Sequence, residues 1–460
     1  MARPTALSGF PEWLPSQRMI EQQLLAQLQK VFELHGYVPL ETRAVEPVEQ
    51  LLSKGETSKE VYVLRRLHED EDQLSAEAAP SSQVDQSQLG LHFDLTVPLA
   101  RYVLENAGKL QFPFKRYQIQ KVWRGERPQE GRFREFYQVD IDVIGADKLP
   151  YHFEVEVPLV MAKALAKLPI PPIRMRINNR RVAEGFYQGL GLSDTQEVLR
   201  SIDKLAKIGP DAVAQLLQSE AGASAKQAQA CLELAQITGV TSAVVDDVRA
   251  VAQRYGVESE LLELGLSELA QLLDAAQDDL AGIVIADMSV ARGLDYYTGS
   301  VYETELVGHE DLGSICSGGR YDELASDGKN TYPGVGMSIG LSRLLSRLFR
   351  QELVTLSRSV PTAVLVAVNS EDERAASNRI ASTLRDRGIA AETSPNAAKF
   401  GRQIRYADRR GIPFVWFVGA GDDGSDQVKD IRSGDQEAAD AATWNPPVAD
   451  LRPRIEAAEA

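Results

Sequence analysis

The fold is decided by residues 114–144, FKRYQIQKVWRGERPQEGRFREFYQVDIDVI. Two runs of alternating polarity flank the polar stretch RPQEGR, the pattern of an antiparallel hairpin with a long loop. Side chains alternate along a strand, so Tyr137, Val139, Ile141 and Val143 share one face. Phe136, Gln138, Asp140 and Asp142 then share the other. On the first run Arg116, Gln118, Gln120, Arg124 and Glu126 lie together, with Val122 the apolar exception. So polar a face is either solvated or the floor of a site. Arg127, Arg132 and Arg134 stand in or beside the loop. Guanidinium forks suit phosphate oxygens, and Phe136 offers a stacking platform for a base. Gln138 and Asp142 extend that face and suit a polar, cationic group. Any one of these residues reads more simply as surface; the full set on one hairpin face does not.

Working outward, 460 residues at roughly 100–200 per domain imply two to four domains. The proportions, 43% hydrophobic and 25% charged, are those of an ordinary soluble globular chain. Two distant cysteines, Cys231 and Cys316, exclude a disulfide framework and fit a reducing compartment. The five histidines are scattered without a paired motif, so no structural metal site is expected. Apolar runs such as 362–368 suit buried strands and fall short of the ~20 residues of a membrane span. The N-terminal MARPTALSGFPEW lacks the apolar core of a secretory signal. A cytoplasmic protein without membrane partners is expected.

Residues 16–36 read as an amphipathic helix with Ser16 as cap and Gly36 as stop. Tyr37–Thr42 reads as a strand, Pro47–Lys54 as a short helix, and 69–89 as an exposed acidic loop. Residues 182–282 are rich in Ala, Leu, Gln and Glu with a helical period, and read as a helical insertion. Strands return over 283–306, and Gly334–Gly340 form a strand-to-helix joint leading into LSRLLSRLF. From Pro361, strand-like TAVLVAV, a helix around 371–387, a strand near Ala390–Thr393, a helix around 399–410 and PFVWFVG make a small α/β unit. The stretch between Arg350 and Pro361 reads as the linker.

Three further segments carry chemistry-bearing residues. ARGLDYYTGSVYE (291–303) sets Arg292 before Asp295, Tyr296 and Tyr297. Such an arginine suits charge developing on phosphorus, although alone it reads as a surface residue. CSGGRYDEL (316–324) is either a glycine turn or a close backbone approach, followed by Arg320 and Tyr321. GVGMSIGLSRLL (334–345) lacks the Gly-Lys-Ser/Thr of a phosphate loop and the spacing of a dinucleotide fingerprint. Its Arg343 falls near the positive end of the helix that follows, where phosphate binds readily. Together these residues point to an ATP-type ligand held by arginines on an antiparallel sheet.

At this point the set resembles the class II aminoacyl-tRNA synthetases, and within them the histidyl-tRNA synthetase family, over essentially the whole chain. GYVPLETRAVEPVEQLL (36–52) is similar to class II motif 1, FKRYQIQKVWRGERPQEGRFREF (114–136) to motif 2 and GVGMSIGLSRLL (334–345) to motif 3. FDLTVPLARY (93–102), ARGLDYYTG (291–299) and GGRYDEL (318–324) are similar to the histidine-specific signatures. VKDIRSGDQ (428–436) supports a C-terminal anticodon-binding domain. The resemblance implies an α/β fold: an α+β catalytic core on an antiparallel sheet, with a helical insertion and a C-terminal α/β anticodon-binding domain. It implies core residues 1–181 and 283–352, insertion 182–282 and anticodon-binding residues 361–460.

It also implies the chemistry. L-histidine and ATP, the latter with Mg2+, would form histidyl-adenylate and pyrophosphate, and the acyl group would pass to histidine tRNA. Asp94, Thr96 and Gln138 would hold the α-ammonium. Asp142 and Tyr297 would meet the imidazole, with Tyr296 and Tyr321 closing the pocket. Arg124 would contact the α-phosphate as a catalytic residue and, like Arg292, also the bound histidine, with Glu126 on the adenine amino group and Phe136 on the adenine face. Arg132 and Arg343 would bind the outer phosphates, and Arg292 would stabilise the transferring phosphoryl. Arg127 and Gln129 match positions that read the extra 5′ guanosine of histidine tRNA. Motif 1 implies a homodimer. Glu323, where glycine is frequent, and the acidic 69–89 loop are departures that touch none of these residues. A non-charging, histidine-sensing paralogue is disfavoured by Arg292 and by the C-terminal domain; another synthetase is disfavoured by ARGLDYYTG.

The net charge of −16 at first argues against a nucleic-acid partner. Resolved by position it does not. Residues 115–134 sum to +5 and 399–410 to +4, whereas 182–282 sum to −10. The basic charge lies where the two ends of a tRNA would meet the chain, and the acidic remainder disfavours random polyanions.

Overall fold

The hairpin at 114–144 becomes the spine of a nine-stranded sheet in the computed structural model, which describes residues 5–52, 60–65, 88–291 and 296–457. The chain divides into two compact units, Met1–Pro11 with Leu25–Arg350, and Glu12–Leu24 with Gln351–Ala460. In the first, β1 (Val38–Pro39) is followed by a small antiparallel sheet of β2 (Val45–Pro47), β3 (Tyr62–Leu64) and β4 (Leu89–Leu91). The large sheet continues with β5 (Phe114–Trp123), β6 (Glu135–Ile144), β7 (Ile173–Asn179), β8 (Thr238–Gly239) and β9 (Val284–Asp287). It is completed by β10 (Ser300–Leu306), β11 (Cys316–Tyr321) and β12 (Gly334–Gly340). The strand order is β1-β5-β6-β12-β11-β10-β7-β9-β8. Every neighbouring pair is antiparallel except β1 with β5 and β7 with β9.

Alternation along β6 works as the sequence implies. Val139, Ile141 and Val143 are fully buried, and the helix His152–Ala166 packs against β6 and β12. The opposite face carries the polar residues in register: Arg116 faces Asp142, Gln118 faces Asp140 and Gln120 faces Gln138. β12 lies on the other side of β6, setting Gly336 against Asp142, Ser338 against Asp140 and Gly340 against Gln138. A strand from far along the chain thus completes the floor begun by the hairpin.

Several local expectations shift. The first helix starts at Pro15, where a missing N–H costs nothing in the first turn, and ends at Leu34 before the left-handed Gly36 (φ +79°). The strand expected over Tyr37–Thr42 pairs only at Val38–Pro39, and the expected helix is ordered as Val48–Leu51. Most of the 69–89 loop lies outside the described residues. Gly318 and Gly319 are mid-strand, not a turn. A Cβ on Gly318 would stand 2.0 Å from the Gly336 carbonyl, so only glycine lets β11 and β12 approach there. Over 182–282 the chain is helical apart from loops and β8. Helices Arg180–Gly189 and Glu260–Ala276 touch backbone to backbone, where Cβ atoms on Gly185 and Gly265 would meet Leu262 and Val182 at 2.4 and 2.7 Å. The second of these helices also packs on β7 and β9, and its Glu268 accepts from Asn179 Nδ2 at 2.7 Å.

The second unit holds a five-stranded sheet in the order β15-β14-β16-β17-β18, where β14 is Val364–Val366, β15 Ala391–Thr393, β16 Phe414–Phe417, β17 Gln427–Asp430 and β18 Gln436–Ala438. The first three are parallel and β17 and β18 antiparallel. Val364 and Val366 pack with Trp416 and Leu384 on one side, while Leu365 packs with Val415 and Ala407 on the other. Burial on both faces explains the unbroken apolar runs. The expected linker instead contains β13 (Val354–Leu356), paired antiparallel with β19 (Ile455–Ala457). No described helix is long and apolar enough to cross a membrane.

One buried group makes a pH prediction. His92 is fully buried, its Nε2 donates to the Lys121 carbonyl at 2.7 Å, and its ring stacks on Trp123. Burial lowers its pKa. The folded state therefore holds fewer protons than the unfolded chain below the unfolded value of about 6.5. The stability it contributes is present above that pH and is lost as pH falls through the folded pKa. The unfolding midpoint of the wild type should drop more steeply from about pH 6.5 to 5 than that of His92→Phe. Parallel slopes would show that His92 does not titrate as described.

Candidate active site

The polar face of β5, β6, β11 and β12 carries two adjoining cavities. The larger, about 320 Å³, is lined by Arg124, Glu126, Arg132, Phe136, Gln138 and Arg343 among others. The smaller, about 20 Å³, is lined by Thr96, Asp140, Asp142, Tyr296, Tyr297 and Tyr321, and shares Ser317 and Ser338 with the first.

In the larger cleft, Arg124 is anchored through Nε to the Phe93 carbonyl at 3.0 Å. Its guanidinium carbon lies 5.2 Å from the centre of the Phe136 ring, and its Nη1 lies 3.9 Å from Glu126. Glu126 also pairs with Arg132 at 3.4 Å. The loop folds back on itself through reciprocal backbone bonds between Gln129 and Arg132, of 3.2 and 3.0 Å, which brings Arg132 to the cleft. Arg127 and Gln129 are exposed on that loop and do not line the cleft. Arg343 sits in the first turn of the helix Leu341–Arg350 and donates to the Leu312 carbonyl. Three arginines therefore converge beside one aromatic ring, an arrangement suited to a nucleotide triphosphate.

The smaller pocket is acidic and lined by tyrosines. Asp142 is buried, and its Oδ1 accepts from the Tyr321 hydroxyl at 2.7 Å. Its Oδ2 lies 2.8 Å from Arg116 Nη2. Burial, and then the charge of Asp142, push the Tyr321 hydroxyl well above its usual range, so it stays a donor at neutral pH. Gln138 Nε2 donates to both oxygens of Asp140, at 3.1 and 3.2 Å. Burial raises the pKa of Asp140 while Arg116 opposes the rise. The rings of Tyr296 and Tyr297 lie 4.2 Å apart. Asp94 is buried at the head of the helix Thr96–Asn106, accepting from Val97 N at 3.1 Å, and does not line either cavity.

Glycines make this pocket possible. A Cβ on Gly336 would lie 2.0 Å from Asp142 Oδ1, one on Gly334 would lie 2.4 Å from the Tyr321 ring, and one on Gly319 would lie 3.0 Å from the Tyr297 ring. The glycine-punctuated strands thus make room for protein side chains that face the pocket.

Arg292 and Asp295 lie outside the described residues. Arg320, singled out beside Tyr321, points to the structural side: Nη1 donates to the fully buried Glu154 at 2.8 Å and Nε to Asp322 at 2.9 Å. Arg116 and Asp140 were placed on the polar face by the sequence but given no role there. Their available signal was the hairpin register, which sets Arg116 directly opposite Asp142.

Comparison with known proteins agrees with this geometry. The family model for histidyl-tRNA synthetase matches residues 9–344, and that for an anticodon binding domain matches 362–443. The chain is 57% identical to histidine–tRNA ligase of Micrococcus luteus, covering 100% of both chains. It is 55% identical to that of Cutibacterium acnes, covering 99% of each. The crystal structure of histidyl-tRNA synthetase from Nostoc sp. PCC 7120 superposes with a TM-score of 0.83 at 36% identity, covering 96% of this chain and 98% of that one. Full-length likeness, both domain models and a shared fold agree: the chain belongs to the histidyl-tRNA synthetase family.

Proposed function

We propose that this protein ligates L-histidine to histidine tRNA at the expense of ATP, through histidyl-adenylate. The observation that supports it best is the adjacency of an arginine-lined, aromatic-floored cleft to a small acidic, tyrosine-lined pocket on one sheet face. In the pocket Asp142 and Tyr297 meet the imidazole nitrogens and Tyr296 and Tyr321 enclose the ring; Thr96 on the pocket lining and Gln138 on the neighbouring cleft hold the α-ammonium, with the charge of Asp94 supplied from behind the lining. A ligand lacking the imidazole would leave a buried carboxylate short of a donor, which is a strong basis for rejection. In the cleft Phe136 stacks on adenine, Glu126 takes its amino group, Arg124 meets the α-phosphate, and Arg132 and Arg343 meet the outer phosphates. Arg292 stabilises the transferring phosphoryl. No covalent enzyme intermediate is needed; positioning and electrostatics suffice.

Mg2+ enters with ATP as part of the substrate. Glu126 is the carboxylate on the cleft lining, and the described residues hold no group of three or more His, Cys, Asp or Glu able to cage a metal. Phosphate oxygens and water would therefore supply most of its ligands. Arg127 and Gln129 read the extra 5′ guanosine of the tRNA, a reading their exposure on the loop supports. The 182–282 helices form the insertion between the two core parts, 1–181 and 283–352, and 361–460 binds the anticodon. The motif 1 segment, with β1 at the sheet edge, supports a homodimer.

Histidine-dependent exchange of pyrophosphate into ATP, followed by charging of unfractionated tRNA with labelled histidine, tests the proposal. Both reactions are expected, with histidine alone active in an amino-acid panel. Histidine binding with neither exchange nor charging would favour a sensing role, and activity with another amino acid would move the assignment within the class.

A further inference from the structure

We infer that Arg116 is a positioning residue for amino-acid selection, holding the Asp142 carboxylate in place from beneath the pocket, with Asp140 sharing its charge. The inference rests on reading the smaller pocket as the histidine site.

Arg116 is 0% exposed, and a guanidinium without water persists only when paired. Its Nη2 lies 2.8 Å from Asp142 Oδ2, 3.8 Å from Asp140 Oδ2 and 3.5 Å from the Leu95 carbonyl. The two carboxylates it serves line the pocket; Arg116 does not. It therefore cannot touch the substrate, but it bears on the atoms that do. Asp140 and Asp142 are two residues apart on one strand face, and like charges so placed favour protonation of one of them. A cation between them opposes that drive. An ionised Asp142 is an acceptor only and takes an imidazole N–H, whereas a protonated one would present a donor and pair with the unprotonated ring nitrogen instead. Orientation is set by the same contacts. Tyr321 holds Oδ1 and Arg116 holds Oδ2, so the carboxylate plane is clamped at both ends before a ligand arrives. Gln138, assigned to the α-ammonium, donates to Asp140 and links the cluster to the neighbouring cleft.

The test is steady-state pyrophosphate exchange with the full-length protein, varying histidine and ATP separately, in R116M, R116K, D142N and R116M/D142N. R116M should raise the histidine KM about 10- to 100-fold, the scale of one buried charge-assisted hydrogen bond. The ATP KM should stay within about twofold of wild type, a change expected of an uncoupled site. R116K should recover part of the loss, since the charge returns without the planar fork. R116M/D142N should be no worse than D142N alone within about twofold, because the two residues act as one unit. Penalties that add, an equal rise in ATP KM, or an unchanged histidine KM in R116M would each overturn the inference. If R116M alone fails to fold, the neutral double variant against D142N decides: equal histidine KM supports it, and a further rise overturns it. A wild type without histidine-dependent exchange would overturn the histidine reading itself, and is distinguishable because it appears before any substitution.

Discussion

Gly336→Ala is expected to lower kcat/KM for histidine by ~10²-fold or more, since misplacing a recognition group by about 1 Å costs that much. The added Cβ would stand 2.0 Å from Asp142 Oδ1 and 2.4 Å from its carboxyl carbon. Ordinary contact is far longer, so one side must give. β12 is pinned there between β6 and β11, with Gly336 opposite Asp142 on one side and Gly319 on the other. The side chain of Asp142 must therefore move, breaking its bonds to Tyr321 and Arg116. The ATP cleft does not include Gly336, so the ATP KM should be preserved. Exchange kinetics at varied histidine give the answer, and a near-wild-type histidine KM would mean that Asp142 is not the recognition group.

Arg124→Ala should reduce the turnover of adenylate formation by ~10²–10³-fold, the scale of removing one preorganised donor from a developing charge. The Phe93 carbonyl holds Arg124 Nε, so the fork is oriented before ATP arrives. Losing it also removes the cation above Phe136, which costs some adenine affinity. Histidine binding, followed calorimetrically without ATP, should lose far less than turnover does, because Arg124 does not line the smaller pocket. Arg124→Lys should remain impaired, since a point charge cannot reproduce the anchored fork. Turnover within about twofold of wild type in Arg124→Ala would remove it from the α-phosphate.

Legibility followed the range of the signal. The 114–144 hairpin was readable because its partners are local and its alternation is strict. Gly334–Gly340 emerged with its expected bounds, since the glycines and the helical LSRLLSRLF mark both ends. The strand at Val354–Leu356 was not readable: three residues pair with a segment at the far end of the chain, and nothing local announces the partner. The two-residue β1 was overextended because an apolar edge segment looks the same whether two or six residues pair. Candidate site residues were proposed where a motif names them. Arg116 was not, because alternation places a residue on a face without saying whether that face meets water or other side chains. Asp94 shows the reverse: its motif was plain, while its hydrogen bond at a helix start depends on the local turn.

The insertion of β12 between β6 and β11 also bears on how the chain matures at the ribosome. When the hairpin emerges, Arg116, Asp140 and Asp142 have partners within the hairpin and at Leu95, but Asp142 still lacks its Tyr321 donor and β6 its β12 neighbour. The strand that covers them follows after all the helices from Arg180 to Ala276 have been made. Closing so long a span is entropically slow, whereas those helices make largely local contacts and can form earlier. Nascent chains halted before Gly334 should thus carry folded helices but an open, chaperone-accessible sheet edge along β6. Nucleotide and amino-acid binding would appear together, and late, in the life of each molecule.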